Sequence, residues 1–415
     1  MRVLYRPGVA LIAAALAFAA GSALAAGKYD FGASDTEIKL GNTNPYSGPA
    51  SGYATIGRVI DAYFRMINEQ GGINGRKITF ITLDDGYQPP KTVEQARRLV
   101  EQDQVAALFQ VLGTPTNTAI HKYMNAKKVP HVFVATGATK WGDPQNFPWT
   151  MGWQPSYQAE MLVMGHYIQK NLAGKKIAAL WQNDDSGKDY MFGLKQGLGE
   201  MAKNIVAEPS YEVSDPTVDS QILQLKASGA SVFYMSGIPK FVAMAFRKAG
   251  EVGWDKEAMF VTSVGASVEA SLKPAGLDRV KGVITTAYAK DATDPQWKSH
   301  KDFQDWVAFM GKYYPEGKLE DSGNSYGYAV AATMAQVLKQ CGNDLTRANI
   351  MKQAASLKDF EAPMLLPGIK LNTGPDDFFP IEQMQMAKFD GEKWVLFGEL
   401  IDAAEIRLGR MAKKK

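Results

Sequence analysis

Two short segments combine glycine and threonine where a ligand could be held. Residues 112–117 (LGTPTN) follow an apolar stretch and open a helical pattern, and residues 136–139 (TGAT) follow the next apolar stretch. Glycine lets a ligand approach the main chain, threonine both donates and accepts hydrogen bonds, and free amides at a helix start attract an anion. Such groups can bind a carboxylate without arginine. Ordinary N-capping by threonine is the alternative, and the recurrence on consecutive strands favours a site.

The usual catalytic and metal-binding motifs are missing from the sequence. It contains no G-x-G-x-x-G after a strand pattern, no phosphate-binding P-loop, no H-E-x-x-H and no G-x-S-x-G. The four histidines are scattered, and the single cysteine, Cys341, excludes an intramolecular disulfide and a cysteine-based zinc cage. Asp84-Asp85 and Asp184-Asp185 are interpreted as turn and capping residues instead of calcium ligands or an acid–base pair. We therefore expect no enzyme, no cofactor and no metal.

Strand and helix patterns alternate along most of the chain and must position the two segments. Repeated strand–helix units predict parallel sheets covered by helices on both faces, with ligands bound at the carboxyl ends of the strands. Asp390-Gly391 lies between two further strand patterns and predicts a hairpin. Strands are expected at 38–40, 78–83, 105–111, 129–134, 177–181, 232–235, 259–262, 384–389 and 394–400, and helices from 52 to the glycines at 71–72 and at 91–102, 116–127 and 240–250.

The number of strand patterns indicates two sheets of about five strands each, a size typical of single sheets. The loop at 141–155 is rich in proline and tryptophan and is a natural crossing point between two lobes. A cleft between lobes is a usual place for a small ligand. We therefore predict an α/β protein with two doubly wound, parallel-sheet lobes.

The N-terminal residues have the pattern of a secretory signal peptide. Arg2 and Arg6 precede an apolar run at 9–20, and small residues follow at Ala23-Leu24-Ala25, so cleavage is expected after Ala25. The run is too short for a membrane anchor, which needs about 20 residues. The signal peptide at 1–25 predicts export to a bacterial periplasm. The three lysines at 413–415 are interpreted as a solvated tail.

Charge and composition exclude further classes of protein. The 415 residues carry 46 Lys+Arg and 43 Asp+Glu, and 46% of them are hydrophobic. This balance argues against nucleic acid as a partner, because such binding needs a basic face. The apolar fraction excludes a disordered chain.

Several motifs in order resemble the periplasmic binding proteins of branched-chain-amino-acid-type ABC importers, the leucine/isoleucine/valine-binding kind. The most specific is NEQGGING at 68–75. The others are Ile38-Lys39-Leu40-Gly41, Ser47-Gly48-Pro49 with Tyr53, Asp84-Asp85 with Pro89, the two Gly/Thr segments, Gly187-Lys188-Asp189-Tyr190 and the Asp390-Gly391 hairpin.

The resemblance implies two α/β lobes joined by three crossovers, which close over a ligand by hinge motion. One lobe would comprise 27–152 and 287–368, and the other 153–286 and 369–415. Such proteins are not enzymes. They bind small solutes in the periplasm and deliver them to an ABC permease complex in the inner membrane, a role that suggests a monomer.

The resemblance also assigns site residues by position. Thr114 and the segment 137–139 match groups that hold the ligand carboxylate, and Ser186 and Ile238 stand where the family has aromatic side chains. Val264 stands where amino-acid binders have the acid that pairs with the ligand ammonium. The full set of expected ligand-binding residues is Tyr53, Gly113, Thr114, Gly137, Ala138, Thr139, Ser186, Ile238 and Val264.

Valine at position 264 bears on the ligand. An ammonium buried without a counter-charge loses several kcal/mol of solvation. The favoured ligand is therefore an aromatic or aliphatic carboxylate without an α-amino group. An amino acid stays open, because Glu269 lies nearby in the sequence and could supply the acid. Four aromatic residues either form flat apolar walls of the ligand pocket or pack in the core: Tyr46, Trp153, Tyr157 and Trp181.

Two other functions compete with that of an importer receptor. A sensory or regulatory protein of the same fold would bind a ligand and signal without feeding a permease. A periplasmic enzyme would need a nucleophile–base pair or a metal, and the sequence shows neither.

Overall fold

The computed structural model describes residues 27–407. The signal peptide expected at 1–25 and the basic tail at 413–415 lie outside the described residues. The strands are β1 Lys28–Tyr29, β2 Glu37–Asn44, β3 Lys77–Asp84, β4 Ala107–Phe109, β5 His131–Val134, β6 Thr150–Gly152, β7 Ile177–Gln182, β8 Ile205–Ala207, β9 Ser210–Tyr211, β10 Val232–Met235, β11 Ala258–Val261, β12 Ile284–Ala287, β13 Asp344–Leu345, β14 Gln383–Phe389 and β15 Trp394–Asp402.

Helices connect most of these strands. They are α1 Ala54–Glu69, α2 Pro89–Arg97, α3 Thr114–Lys127, α4 Tyr157–Asn171, α5 Asp185–Leu198, α6 Asp219–Ala227, α7 Pro239–Glu251, α8 Lys273–Ala275, α9 Leu277–Val280, α10 Lys301–Tyr313, α11 Ser322–Cys341, α12 Arg347–Ala354 and α13 Ala403–Arg407. Within residues 27–407, none of them combines the length and the apolar character that a membrane crossing requires.

The first sheet has the strand order β3-β2-β4-β5-β6, and all its neighbouring strands are parallel. Strands β4 and β5 are buried along their whole length, as expected for a parallel sheet covered on both faces. The order places β3 on one side of β2 and β4 on the other. Connections leaving opposite faces at β2 and β4 open a crevice at the carboxyl ends of those strands.

The second sheet has the order β15-β14-β12-β11-β10-β7-β8, with β9 also paired to β7. Strands β7 to β12 are parallel, whereas β14 and β15 are antiparallel additions. An equivalent crevice therefore forms in this sheet, at the carboxyl ends of β7 and β10. The predicted hairpin is confirmed: Phe389 pairs with Trp394 across a turn in which Gly391 has a φ of 110°.

The chain passes between the two sheets three times. It leaves the first sheet after β6 for α4, returns after β12 to α10, α11 and α12, and crosses again to reach β14. Helices α10 and α11 contact α1 of the first sheet, and α4 contacts α5 and β12 of the second. The predicted fold class is confirmed, namely two doubly wound lobes, one around each sheet, joined by three crossovers.

Candidate ligand-binding site

A cavity of about 170 Å³ lies between the two sheets. Much of its wall is built from the residues that follow the carboxyl ends of β4, β5, β7, β10, β11 and β12. The crevices of both sheets thus open into one space. Its volume resembles that of an engineered apolar cavity of about 150 Å³ that binds benzene.

The loop between β4 and α3 is shaped around Gly113. Its φ is 101°, and a Cβ atom there would lie 2.3 Å from the Tyr87 ring, so only glycine fits. The Gly113 amide donates to the Ala135 carbonyl at 3.2 Å. Its carbonyl accepts from the Thr116 hydroxyl at 2.8 Å and from the Asn117 side-chain amide at 2.6 Å. These bonds fix the start of α3, whose first-turn amides have no partner within the helix.

Thr114 is the first residue of α3 and lines the cavity. Its hydroxyl oxygen lies 2.5 Å from that of Thr136, which belongs to the neighbouring loop after β5. The Thr136 hydroxyl also accepts from the Ala138 amide at 3.3 Å. A pair of threonine hydroxyls therefore stands beside the positive end of a helix, where an anion is favoured.

Six of the nine sequence-predicted residues line the cavity, namely Tyr53, Gly113, Thr114, Ser186, Ile238 and Val264. The structure does not place Gly137, Ala138 and Thr139 on that wall. Strand β5 ends at Val134, so Ala135 is the residue of this loop that reaches the cavity. The chain then turns away: Ala138 is buried in the core, and the Thr139 amide donates to Asp189 Oδ2 at 2.6 Å.

The predicted residues near the second sheet, Ser186, Ile238 and Val264, contribute in different ways. Val264 takes part through its main chain, because its carbonyl accepts at 2.9 Å from the hydroxyl of Tyr53, which reaches across the cavity from the start of α1. The amide of Ser186 is bound by Asp184 Oδ1 at 2.9 Å, which caps α5. Ile238 precedes α7 and is buried.

Sequence reasoning missed Glu160 on α4, a buried acid directly behind this wall. It is 2% exposed and accepts from the Ser263 amide at 2.6 Å, the Ser263 hydroxyl at 3.0 Å and the Thr286 hydroxyl at 3.1 Å. Ser263 and Thr286 line the cavity, and Glu160 lies behind them. Burial raises the pKa of Glu160 to about 7, although the three hydrogen bonds favour its charged form. The sequence offered one signal for this residue: Glu160 is an acid flanked by apolar residues in α4, a pattern that indicates a buried charge.

Glu269, the other candidate for the missing acid, is committed elsewhere. Its carboxylate binds Lys273 Nζ at 2.8 Å and also pairs with Lys318. It is not among the residues that line the cavity.

Aromatic rings form much of the apolar wall. Tyr157 and Tyr190 stack with their ring centroids 4.1 Å apart. The Tyr326 hydroxyl donates to Gln154 Oε1 at 3.1 Å, and the Trp394 indole N–H donates to a main-chain carbonyl at 3.0 Å. These bonds hold the rings in place and leave flat surfaces for a ligand.

Of the four aromatic residues singled out in the sequence, only Tyr157 reaches the cavity. Trp153 is a core residue whose indole N–H donates to Thr333. The Tyr46 hydroxyl bonds to that of Thr82 at 2.6 Å, and the Trp181 indole N–H donates to a main-chain carbonyl at 3.0 Å.

Charged residues line one end of the cavity near the crossover after β12. Lys290 is paired with Asp302 at 2.5 Å. Burial raises the pKa of Asp291 and of Asp321, and Asp321 accepts from a main-chain amide to cap α11. Within residues 27–407, no three His, Cys, Asp or Glu side chains are grouped so that they could hold a metal ion.

The chain matches a protein family and resembles several known proteins. A family model described as "Periplasmic binding protein" matches residues 37–393. The Leu/Ile/Val-binding protein homolog 7 of Brucella suis is 26% identical over 404 residues, which cover 90% of this chain and 94% of that protein.

Two solved structures share the fold. A fatty acid ABC transporter substrate-binding protein from Thermomonospora curvata has a TM-score of 0.78 at 19% identity and covers 92% of this chain and 96% of its own. A branched chain amino acid ABC transporter from Thermus thermophilus with bound valine has a TM-score of 0.81 at 15% identity, covering 91% and 99%.

Proposed function

Because this chain belongs to the periplasmic binding protein family, we propose that it is the solute receptor of an ABC importer for a small apolar carboxylate without an α-amino group. The chain is a solute-binding protein of the Leu/Ile/Val-binding type. The ligand class and the importer are the parts that we propose.

The observation that carries the proposal is the pairing of Thr114 and Thr136 at the start of α3. The Thr114 hydroxyl on the cavity wall, which bonds to that of Thr136 behind the wall at 2.5 Å, and the free first-turn amides of the helix offer donors to one carboxylate. Pro115 contributes none, because it has no N–H. The helix dipole adds a favourable field worth about 0.3–1 kcal/mol. No arginine lines the described cavity wall, and Lys290, which does, is paired with Asp302, so these neutral groups would bind the anion.

The wall around Val264 offers an ammonium no direct counter-charge. The two acids that line one end of the cavity, Asp291 and Asp321, already accept from the main-chain amides of Thr293 and Gly323. Val264 presents a carbonyl that already accepts from Tyr53. Glu160 is covered by Ser263 and Thr286, and Glu269 is paired with lysines outside the cavity. A ligand with an α-amino group would therefore bury a charge at a cost of several kcal/mol.

The names of the structural neighbours bear on the two ends of the site, the one that binds the carboxylate and the one that would face an α-amino group. One is named for fatty acids and another holds valine, and these ligands share a carboxylate but differ in the α-amino group. The carboxylate end of the site is thus the part that we carry over to this chain.

We further propose that the lobes comprise 27–152 with 287–368 and 153–286 with 369–415, and that they close over the ligand. Contacts between the lobes support a closed form. Lys140 Nζ lies 2.7 Å from Asp185 Oδ2, beside the bond from Thr139 to Asp189. In this proposal the signal peptide directs export, and the closed receptor acts as a monomer that docks on the permease.

The test compares matched carboxylates by thermal shift and titration calorimetry. The probes are 4-methylpentanoate against leucine and 3-phenylpropanoate against phenylalanine, which differ only in the α-amino group. A true ligand at 100 times its Kd should add about 2.7 kcal/mol of stability. We expect the des-amino member of at least one pair to bind more tightly. Stronger stabilisation by leucine and phenylalanine would refute the ligand class.

A variant tests the carboxylate end separately. Thr114→Val removes the hydroxyl but keeps the shape, and we expect it to weaken carboxylate binding about 10-fold. Thr79→Val is the matched control, because Thr79 lies on β3 and does not line the cavity. Equal affinity in all three proteins would remove Thr114 from the site.

A further inference from the structure

One buried hydroxyl on the cavity wall has nothing to bind. Tyr190 on α5 is 2% exposed and lines the cavity, and its hydroxyl has no hydrogen-bond partner within the described residues. Leaving such a group unsatisfied costs about 1–3 kcal/mol, so Tyr190 points to a polar partner that arrives with the ligand. The Ser236 hydroxyl, just after β10, is 1% exposed and also lines the cavity, and with the Tyr234 hydroxyl beside it, it can still bind one more polar group.

Two more hydroxyls extend this surface. Ser263 and Thr286 also line the cavity and donate to Glu160 behind the wall, the acid whose charge also acts on Tyr190. We call Tyr190, Ser236, Ser263 and Thr286 the hydroxyl patch. All four belong to the second lobe, whereas the Thr114–Thr136 pair belongs to the first. The cavity thus has a second polar surface, distinct from the one that receives the carboxylate.

The chemistry of the hydroxyl patch narrows the group that it can bind. A second carboxylate would meet Glu160 behind the wall without a cation to compensate it. An ammonium would feel the field of Glu160 but would form no ion pair with it, since Ser263 and Thr286 lie between them, and most of its lost hydration would stay uncompensated. With Glu160 ionised, those two hydroxyls have used their hydrogens and can only accept. The ligand group must therefore donate as well as accept, which a neutral hydroxyl does and an ether or a carbonyl does not.

We propose that the ligand is a hydroxylated aromatic carboxylate, whose carboxylate binds at Thr114 and whose hydroxyl binds at the hydroxyl patch. The stacked rings of Tyr157 and Tyr190 supply the flat wall that favours an aromatic ring. This inference rests on the proposed function and adds the second recognition point.

Titration calorimetry on the mature protein tests it with 3-phenylpropanoate and its 3- and 4-hydroxyphenyl analogues. At least one hydroxylated probe should bind about 10-fold more tightly than 3-phenylpropanoate, the effect of about one well-made hydrogen bond. Tyr190→Phe and Ser236→Ala should each reduce that preference, which is measured within each variant as the ratio of the Kd values of 3-phenylpropanoate and its hydroxylated analogue, so that a change common to both probes cancels. Tyr63→Phe is the control, because Tyr63 is a buried core tyrosine that does not line the cavity.

The outcomes separate the two proposals. If 3-phenylpropanoate binds but no hydroxylated probe is preferred, the second recognition point is refuted and the receptor for des-amino carboxylates stands. If phenylalanine and tyrosine bind best, the proposed ligand class itself fails. A preference that survives in both patch variants would place the hydroxyl elsewhere and overturn the assignment. Should Tyr190→Phe fail to fold, Ser236→Ala alone decides the point.

Discussion

Replacing Glu160 by glutamine should remove the pH dependence that this buried acid imposes on stability. Glutamine keeps the size of the side chain and an oxygen that can accept from Ser263 and Thr286, but it does not titrate. The pKa of Glu160 is raised to about 7 from an ordinary value of 4.5, because burial disfavours its charge. The folded state therefore holds its proton more tightly than the unfolded state.

The sign and size follow from linkage. Stability that the proton on Glu160 provides is fully present below pH 4.5 and is lost as the pH rises through 7. A shift of this size corresponds to about 3 kcal/mol, of which about 2.5 kcal/mol is lost between pH 5 and pH 8. The free energy of unfolding of Glu160→Gln should therefore gain about that amount relative to the wild type over this interval.

The wild-type curve alone would mislead, because two buried histidines act in the opposite direction. Burial lowers the pKa of His121 to about 4 and that of His131 to about 3. Both imidazoles stabilise the folded state above their unfolded pKa of about 6.5, and this stability is lost as the pH falls. The difference between wild type and variant cancels this contribution, since both proteins carry the same histidines.

Urea denaturation at pH 5, 6, 7 and 8, followed by both fluorescence and circular dichroism, measures that difference. Glu257→Gln serves as the control, because Glu257 forms a surface ion pair with Lys175 at 2.7 Å and such pairs contribute about 0–1 kcal/mol. Its difference from the wild type should stay nearly constant. A difference for Glu160→Gln that is equal at pH 5 and pH 8 would contradict the reasoning about its buried charge.

Three further substitutions have defined outcomes. Gly187→Ala should destabilise the fold by about 1–3 kcal/mol and lower the Tm accordingly, because its Cβ would lie 1.9 Å from a carbonyl oxygen of β7. The control Gly311→Ala should not lower the Tm, because a Cβ atom there would have nothing within 4 Å. Tyr53→Phe should weaken ligand binding about 2- to 10-fold in calorimetry, because it removes the hydrogen bond that joins the lobes. Lys140→Ala should weaken binding less than about 5-fold, with an effect that shrinks between 0.05 and 0.5 M salt, because its pair with Asp185 is half-exposed.

The fold was largely predictable because apolar runs and turn residues are local signals. Strand β10 occupies the predicted residues 232–235, and the hairpin at Asp390-Gly391 forms as expected. Strand β6, at Thr150–Gly152, was hidden in the loop at 141–155 because three residues are too few to show alternation. Its pairing with β5 depends on a tertiary contact that no local pattern records.

The site was predictable where local sequence determines backbone geometry. Gly113 and Thr114 follow from a strand that ends beside a helix start. The boundary of the second segment was harder, because Ala135 reaches the cavity while 137–139 turn towards Asp189. Where a loop leaves the wall depends on its partners in the other lobe, and those partners are distant in sequence.

Position 264 shows how side-chain alignment can miss a contribution from the main chain. By its position in the sequence, Val264 stands where amino-acid binders have an acid. In the structure, the carbonyl of Val264 receives the Tyr53 hydroxyl, and the neighbouring Ser263 amide is held by Glu160. The carboxylate nearest this turn thus lies behind the wall, where it orients the turn without facing the ligand. An acid in that place orients the hydroxyls of Ser263 and Thr286, which then present their oxygens to the cavity as hydrogen-bond acceptors.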